Sequence, residues 1–92
     1  ISYSRQAANL ARGVNDTKGL AAAYNNLGVA YRTQGALDKA LEYYLQALDG
    51  YRQIENPEGI AATQNNIGTI YSLKKDFSKA VEYFEQSYEI FK

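Results

Sequence analysis

Apolar and small side chains recur along the chain at spacings of three and four, which is the period of an amphipathic α-helix. The fullest stripe is Leu37, Ala40, Leu41, Tyr44, Ala47, Leu48 and Tyr51, and a similar one is Phe77, Ala80, Val81, Phe84, Ser87, Tyr88 and Phe91. No stretch alternates between polar and apolar residues as a half-buried strand does. The pattern therefore predicts an all-α chain with five antiparallel helices, over about residues 2–14, 17–34, 37–54, 57–74 and 77–91.

Capping signals place the starts of these helices. Asn15-Asp16-Thr17 interrupts the first stripe, and we expect Asp16 to cap the helix that follows. One unit later, Asn56 is a capping residue followed by Pro57, which is tolerated at the first helical position because no N–H is needed there. Asp76 is a good cap for the last helix, whereas Ala36 is a poor cap for its counterpart.

The chain repeats itself with a period of 40 residues. Asn25-Asn26-Leu27-Gly28 returns as Asn65-Asn66-Ile67-Gly68, and 12 of the 34 pairs are identical when residues 19–52 are laid over 59–92. We assign residues 1–15 to the second helix of a preceding unit, and 16–55 and 56–92 to two further units of one domain. Connections of a few residues force successive helices to run antiparallel, and stacking such hairpins buries their stripes.

Three glycines carry a prediction about geometry. Gly28 and Gly68 occupy equivalent places inside helices, where glycine is about 1 kcal/mol less favourable than alanine. We therefore expect a neighbouring helix to approach closely at both. Gly35 provides a helix stop, but its counterpart is Lys75, so the later turn must close without glycine.

The two units resemble the tetratricopeptide repeat family. The positions that carry the resemblance are Tyr24, Leu27, Gly28, Tyr31, Ala40, Tyr44 and Ala47, and then Gln64, Ile67, Gly68, Tyr71, Ala80, Phe84 and Ser87, with departures at Gln64 and Ser87. The usual unit has 34 residues and a closing proline, whereas this one has 40 and no such proline. The longer form is similar to the repeats of kinesin light chains, of G-protein-signalling modulators and of bacterial signalling proteins. The resemblance implies a right-handed superhelix that binds peptides on its concave side.

A second face of the Asn-bearing helices supplies the candidate site. It combines small and polar residues: Ala22, Asn25, Asn26, Val29 and Thr33 with Arg32 beside them, and then Ala62, Asn65, Asn66, Thr69, Ser72 and Leu73. An Asn amide offers both a donor and an acceptor, so it can pair with a peptide backbone whatever side chains the peptide carries. By the resemblance, Asn26 and Asn66 stand where many relatives hold peptide-binding asparagines. We predict a peptide-binding site of Asn26, Asn66, Asn25, Asn65, Arg32, Ala22, Ala62 and Thr69.

Two other interpretations of these residues remain open. A polar helix face is ordinarily just solvated, and one Asn of each pair can instead bond between neighbouring helices. Most of the nine tyrosines fall on the buried stripes, among them Tyr24, Tyr31, Tyr44, Tyr51 and Tyr71. Tyr43 and Tyr83 lie off the stripes and could touch a neighbouring unit or a partner.

Composition narrows the classes of function. Ten basic and ten acidic residues cancel, so we expect neither nucleic acid nor a membrane surface as partner. The sequence has no His and no Cys, and its glycines do not form a phosphate-binding loop, so we predict no enzyme activity, no cofactor and no metal site. The lack of Cys agrees with a cytoplasmic location, which we predict.

The sequence as a whole predicts a protein-interaction scaffold that binds an extended peptide. It begins within a unit and contains no Met, so we expect it to belong to a longer protein. The alternative is a self-association module, which forms a homodimer through the terminal helices, or a sensory input region of a bacterial signalling protein.

Overall fold

The protein was analysed as a computed structural model that describes residues 13–91, with side chains described for residues 16–90. Four α-helices account for this part of the chain: α1 (Gly13–Thr33), α2 (Leu37–Gln53), α3 (Pro57–Leu73) and α4 (Phe77–Phe91). The described residues contain no strand, which agrees with the predicted all-α class. The predicted limits of α2, α3 and α4 are confirmed to within one residue. The predicted helix over residues 2–14 lies outside the described residues except at its last two positions.

The predicted break at Asn15-Asp16-Thr17 is wrong, because α1 runs through these residues without interruption. Asp16 therefore lies within the first described turn of α1 and does not precede the helix as a cap. Asn and Asp are only mildly unfavourable inside a helix, and an acidic side chain in the first turn complements the helix dipole. Nothing in this segment stops the helix from continuing, whereas one unit later Pro57 disfavours helical geometry at Asn56, the residue before it.

The three connections between helices share one geometry. Gly35, Glu55 and Lys75 each adopt a left-handed backbone, with φ of 82°, 52° and 67°. In the first turn the Gly35 N–H donates to the Arg32 carbonyl and the Ala36 N–H to the Tyr31 carbonyl, which is the Schellman pattern. The other two turns repeat both hydrogen bonds. The prediction that the turn at Lys75 closes without glycine is thus confirmed.

The side-chain caps that the sequence predicts for α3 and α4 are present in the structure. The Asn56 side chain accepts a hydrogen bond from the Gly59 N–H at 2.9 Å, with Pro57 at the start of α3. The Asp76 carboxylate accepts one from the Lys79 N–H at 3.3 Å. Ala36 has no side chain that can accept such a bond, so α2 begins without a side-chain cap.

Successive helices pack as antiparallel neighbours, α1 on α2, α2 on α3 and α3 on α4. The central core cluster joins α2 to α3 and consists of Ala40, Tyr44, Leu48, Ile67 and Ile70. At the edge of that contact the Lys74 ammonium pairs with the Asp38 carboxylate, and this hydrogen bond raises the pKa of Lys74. The pair is solvent-exposed and adds little stability.

Gly28 and Gly68 lie beneath aromatic rings from the next helix, which confirms the predicted close approach. A methyl group built on Gly28 would sit 2.5 Å from the Tyr44 ring, and one on Gly68 would sit 2.8 Å from the Phe84 ring. Both distances are too short for a real side chain. The two glycines therefore let Tyr44 and Phe84 lie directly on the backbone of the helix before them.

No helix in residues 13–91 combines the length and the apolar character that a bilayer-spanning segment needs.

Candidate functional site

The two Asn pairs lie at the middle of α1 and α3, which face each other at this level. The Asn66 Nδ2 donates a hydrogen bond of 2.9 Å to the Asn25 Oδ1, and both side chains are half-buried. Asn26 and Asn65 are exposed, and the structure gives neither side-chain amide a partner among residues 13–91. The members of each pair therefore differ: one amide joins the helices and the other faces solvent.

The Asn25–Asn66 bond leaves hydrogen-bonding capacity at both amides. Asn25 uses its carbonyl and keeps both of its N–H donors, while Asn66 uses one N–H and keeps its carbonyl and its second N–H. The bond also fixes the two side chains relative to each other. The result is a row of four amides, which we call the amide row: Asn26, Asn25, Asn66 and Asn65.

Small residues border the amide row. Ala62 is exposed and Ala22 is half-buried, so no large side chain from either position covers the asparagines. Thr69 donates its hydroxyl to the Asn65 carbonyl of its own helix at 3.0 Å, which leaves its methyl group and an oxygen lone pair at the surface. Val29, which the sequence also places on this face, packs against the core cluster instead.

Arg32 lies half-buried in the last turn of α1. Burial raises the pKa of the Tyr44 hydroxyl, and the positive charge of Arg32 opposes part of that rise. Arg32 thus acts electrostatically on the buried ring of α2, and a contact between its guanidinium and a peptide remains a prediction.

The tyrosines off the stripes stack within their own units. The rings of Tyr43 and Tyr31 are parallel to within 2° with centroids 5.5 Å apart, and Tyr83 stacks on Tyr71 at 5.7 Å. A lysine ammonium lies over the ring of the second tyrosine in each stack, that of Lys39 over Tyr31 and that of Lys79 over Tyr71. Tyr43 and Tyr83 therefore support the hairpins, and their main contacts are to the helix paired with their own.

Sequence reasoning missed an open cavity of about 440 Å³ between the start of α1 and the end of α2. Its lining mixes apolar and polar residues: Thr17, Leu20, Ala21, Tyr24, Leu45, Gln46, Asp49, Gly50 and Gln53. The signal that could have found it is a departure from the repeat. Leu45 and Gly50 stand where the next unit has Glu85 and Ile90, so the corresponding surface differs between units.

The model of the tetratricopeptide repeat family matches the chain twice, over residues 1–53 and 19–92. Together the two overlapping matches cover the whole sequence, and they agree with the stacked helical hairpins described above. Neither a curated protein nor a solved structure shows a significant match to the chain. Tetratricopeptide repeats generally mediate protein–protein interactions. On the strength of its repeat, its fold and the family match, this chain belongs to the tetratricopeptide repeat family.

Proposed function

We propose that the chain is a docking surface for an extended peptide segment of a partner protein, which it binds along the amide row. In this proposal the hairpins continue as a right-handed superhelix, and α1 and α3 line its concave side. The observation that carries the proposal is the pair of exposed asparagines, Asn26 and Asn65, on either side of the Asn25–Asn66 hydrogen bond.

The chemistry of the row suits a peptide backbone. Each peptide unit presents one N–H and one carbonyl, and each Asn side chain offers the complementary acceptor and donor. The small side chains of Ala22 and Ala62 leave room for a main chain to approach, and the Thr69 hydroxyl adds an acceptor beside Asn65. In this proposal the Arg32 guanidinium binds an acidic group of the peptide.

The Asn25–Asn66 bond has a supporting role in this proposal. It spans α1 and α3 and so holds the spacing of the two helices that carry the exposed amides. Such pre-organisation lowers the entropy that binding must overcome. The predicted cytoplasmic location and the absence of a nucleic-acid or membrane partner belong to the same proposal.

The test begins with a random-sequence peptide library displayed on phage and selected against the chain. A selected peptide is then synthesised with a fluorophore, and its affinity is measured by anisotropy for the chain and for the double variant Asn26→Ala/Asn65→Ala. We expect the double variant to bind at least about tenfold more weakly, because two hydrogen bonds of about 1 kcal/mol each are lost. Gln34→Ala, which removes an exposed amide in the turn after α1, is the matched control and should leave the affinity unchanged.

The circular dichroism of both variants should equal that of the parent chain, since all three residues are exposed. Equal affinity of the double variant and the parent would exclude Asn26 and Asn65 from peptide binding. Asn25→Ala/Asn66→Ala should act differently, because it removes the bond between α1 and α3. We expect that variant to lower stability as well as affinity.

A further inference from the structure

The Asn25–Asn66 hydrogen bond places Arg32 of α1 level with Leu73 of α3. The bond joins the middles of the two helices, which both run antiparallel to α2 and therefore parallel to each other. Seven residues make nearly two helical turns, so a step of seven along a helix returns to the same face about 10 Å further on. That step leads from Asn25 to Arg32 and from Asn66 to Leu73.

The surface between this level and the amide row is apolar. Val29 and Thr69 are half-buried there, and the Thr69 hydroxyl donates to the Asn65 carbonyl, which leaves its methyl group at the surface. Leu73 is 54% exposed, and a long side chain in a helix leans over the turn before its own Cα, which here is the turn of Thr69. We call Val29, Thr69 and Leu73 the apolar shelf. A peptide on the amide row can lay a large side chain on it.

Arg32 provides a positive charge beside the apolar shelf. It is the only charged residue within 19–33 of α1, and residues 59–73 of α3 contain none. Its side chain is half-buried, and the structure gives it no ion pair within the part of the chain that is described. The Asp38 carboxylate at this edge pairs with Lys74 instead. A partly buried guanidinium without a counter-charge favours a carboxylate supplied by a ligand.

We propose that Arg32 and the apolar shelf select peptides that carry an acidic residue and a large apolar residue two positions apart. This inference rests on the proposed function, because the peptide backbone must lie along the amide row. Residues two apart in an extended chain face the same side at a separation of about 7 Å, which is close to the roughly 8–10 Å between neighbouring helices.

In this arrangement the peptide crosses from α1 to α3. Its acidic residue lies over α1 and binds Arg32, and its apolar residue lies over α3 and packs against Leu73. The amides of the row offer donors and acceptors to either chain direction, so the acidic residue can precede or follow the apolar one. The specificity therefore lies in the two side chains and their spacing.

Selection of a displayed random-sequence peptide library against two forms of the chain tests the charge. We expect the parent chain to enrich peptides with an acidic residue two positions from a Leu, Ile, Phe, Tyr or Trp, and Arg32→Glu to enrich a basic residue at that place. Arg52→Glu, at an exposed arginine in the last turn of α2, is the matched control and should enrich acidic residues as the parent does. The same charge preference in the parent and in Arg32→Glu overturns the proposal.

Affinities measured by fluorescence anisotropy test both contacts on one selected peptide. Arg32→Glu should bind it about tenfold more weakly, and should bind a form with Lys in place of the acidic residue more tightly than the parent does. Leu73→Thr gives position 73 the residue type of its counterpart Thr33 and should weaken binding about fivefold, because an apolar contact is lost. Leu45→Thr, at a leucine of α2 that is 42% exposed, is its matched control and should have no effect.

The double variant Asn26→Ala/Asn65→Ala separates this inference from the proposed function. Weaker binding by the double variant with unchanged binding by Arg32→Glu and Leu73→Thr would overturn the inference alone. Unchanged binding by the double variant would overturn the proposed function, and this inference with it. If Arg32→Glu has less helix by circular dichroism than the parent, the neutral Arg32→Gln takes its place. It should then bind the acidic peptide and its amide form equally, and a retained preference for the acidic form overturns the inference.

Discussion

The aromatic rings that lie on glycines set the distance between paired helices. Tyr44 rests on Gly28 and Phe84 on Gly68, in two units whose other core residues differ. At both places the ring takes the space of a missing side chain, so the helix pair is closer than it could be with alanine. The glycines are retained despite their cost inside a helix because this contact needs them.

Gly28→Ala should destabilise the chain by about 1–3 kcal/mol, because its new methyl group would collide with the Tyr44 ring in a filled core. Gly19→Ala should instead stabilise it by about 0.5–1 kcal/mol, since Gly19 is exposed in α1 and an added methyl group meets no atom within 4 Å. Urea unfolding followed by circular dichroism measures both. Similar effects of the two substitutions would show that helix propensity, and not contact with Tyr44, determines the need for Gly28.

The polar departures from the family pattern are accommodated by hydrogen bonds between helices. Gln64, which stands where the first unit has Tyr24, donates its amide to Gln86 at 3.1 Å, and Ser87 donates its hydroxyl to the Ala61 carbonyl at 3.0 Å. Both partners lie across the contact of α3 with α4. Burial of the Ser87 hydroxyl and of the Gln64 Nε2 costs little because both are paired. The Gln64 Oε1 is buried without a hydrogen-bond partner among the described residues, so Gln64 fits this contact less well than Ser87 does.

At the scale of the helix, the residues at the N-cap positions of α2 and α3 differ, although the turns that precede the two helices have the same geometry. Asn56 caps α3 through its side chain, whereas Ala36 leaves the corresponding N–H groups of α2 without a side-chain acceptor. The backbone at Ala36, with φ −84° and ψ 73°, is close to that at Asn56, with φ −98° and ψ 97°. The backbone at residue 36 is therefore suited to a side chain that caps α2, although Ala36 cannot act as a cap.

Asn56→Ala should lower the free energy of unfolding by about 1 kcal/mol, because the Gly59 N–H loses its acceptor. Ala36→Asn should raise it by a similar amount, because the new side chain can accept from the first turn of α2. Thermal and urea unfolding of the two single variants and of the double variant measure these changes. The double variant should unfold like the parent chain, and a loss of stability in Ala36→Asn would mean that the turn at residue 36 cannot orient a cap.

The sequence was most informative about elements with strong local signals. The stripes and the Asn56–Pro57 and Asp76 caps define α3 and α4 to within a residue, because each signal acts within one helical turn. The predicted break before residue 17 was wrong for the opposite reason. Asp16 is compatible both with a cap and with a first turn, so its local signal does not fix where α1 begins.

At the scale of the whole molecule, the repeat predicted which residues share a face but not what each one contacts. Asn25 and Asn26 are both polar residues of the same predicted face, and only the placement of α3 beside α1 decides that Asn25 bonds to Asn66 while Asn26 faces solvent. Likewise α2 and α4 carry similar stripes, but Tyr44 and Leu48 of α2 are 0% and 4% exposed whereas their counterparts Phe84 and Tyr88 of α4 are 36% and 67% exposed. Both distinctions come from neighbours distant in the sequence.

A third unit added in register should cover the exposed apolar residues of α4, which are Phe77, Val81, Phe84 and Tyr88. Residue 93 corresponds to residue 53, so attaching a second copy of residues 53–92 directly after Lys92 continues the period of 40. Because the stability of stacked repeats is the sum of unit and interface terms, we expect a single unfolding transition with a higher urea midpoint. The denaturant dependence should rise by roughly 40%, in line with the added surface that unfolding exposes.

Val81→Glu shows whether the new unit really packs on α4. In the parent chain Val81 is 52% exposed, so the substitution should change the free energy of unfolding by less than about 0.5 kcal/mol. In the extended chain the same side chain lies between helices, and the buried carboxylate should cost about 2 kcal/mol or more. Two separate transitions, or an equal cost in both chains, would mean that the added unit folds alone. The exposed apolar residues of α4 would then have no affinity for the helix face that covers α2.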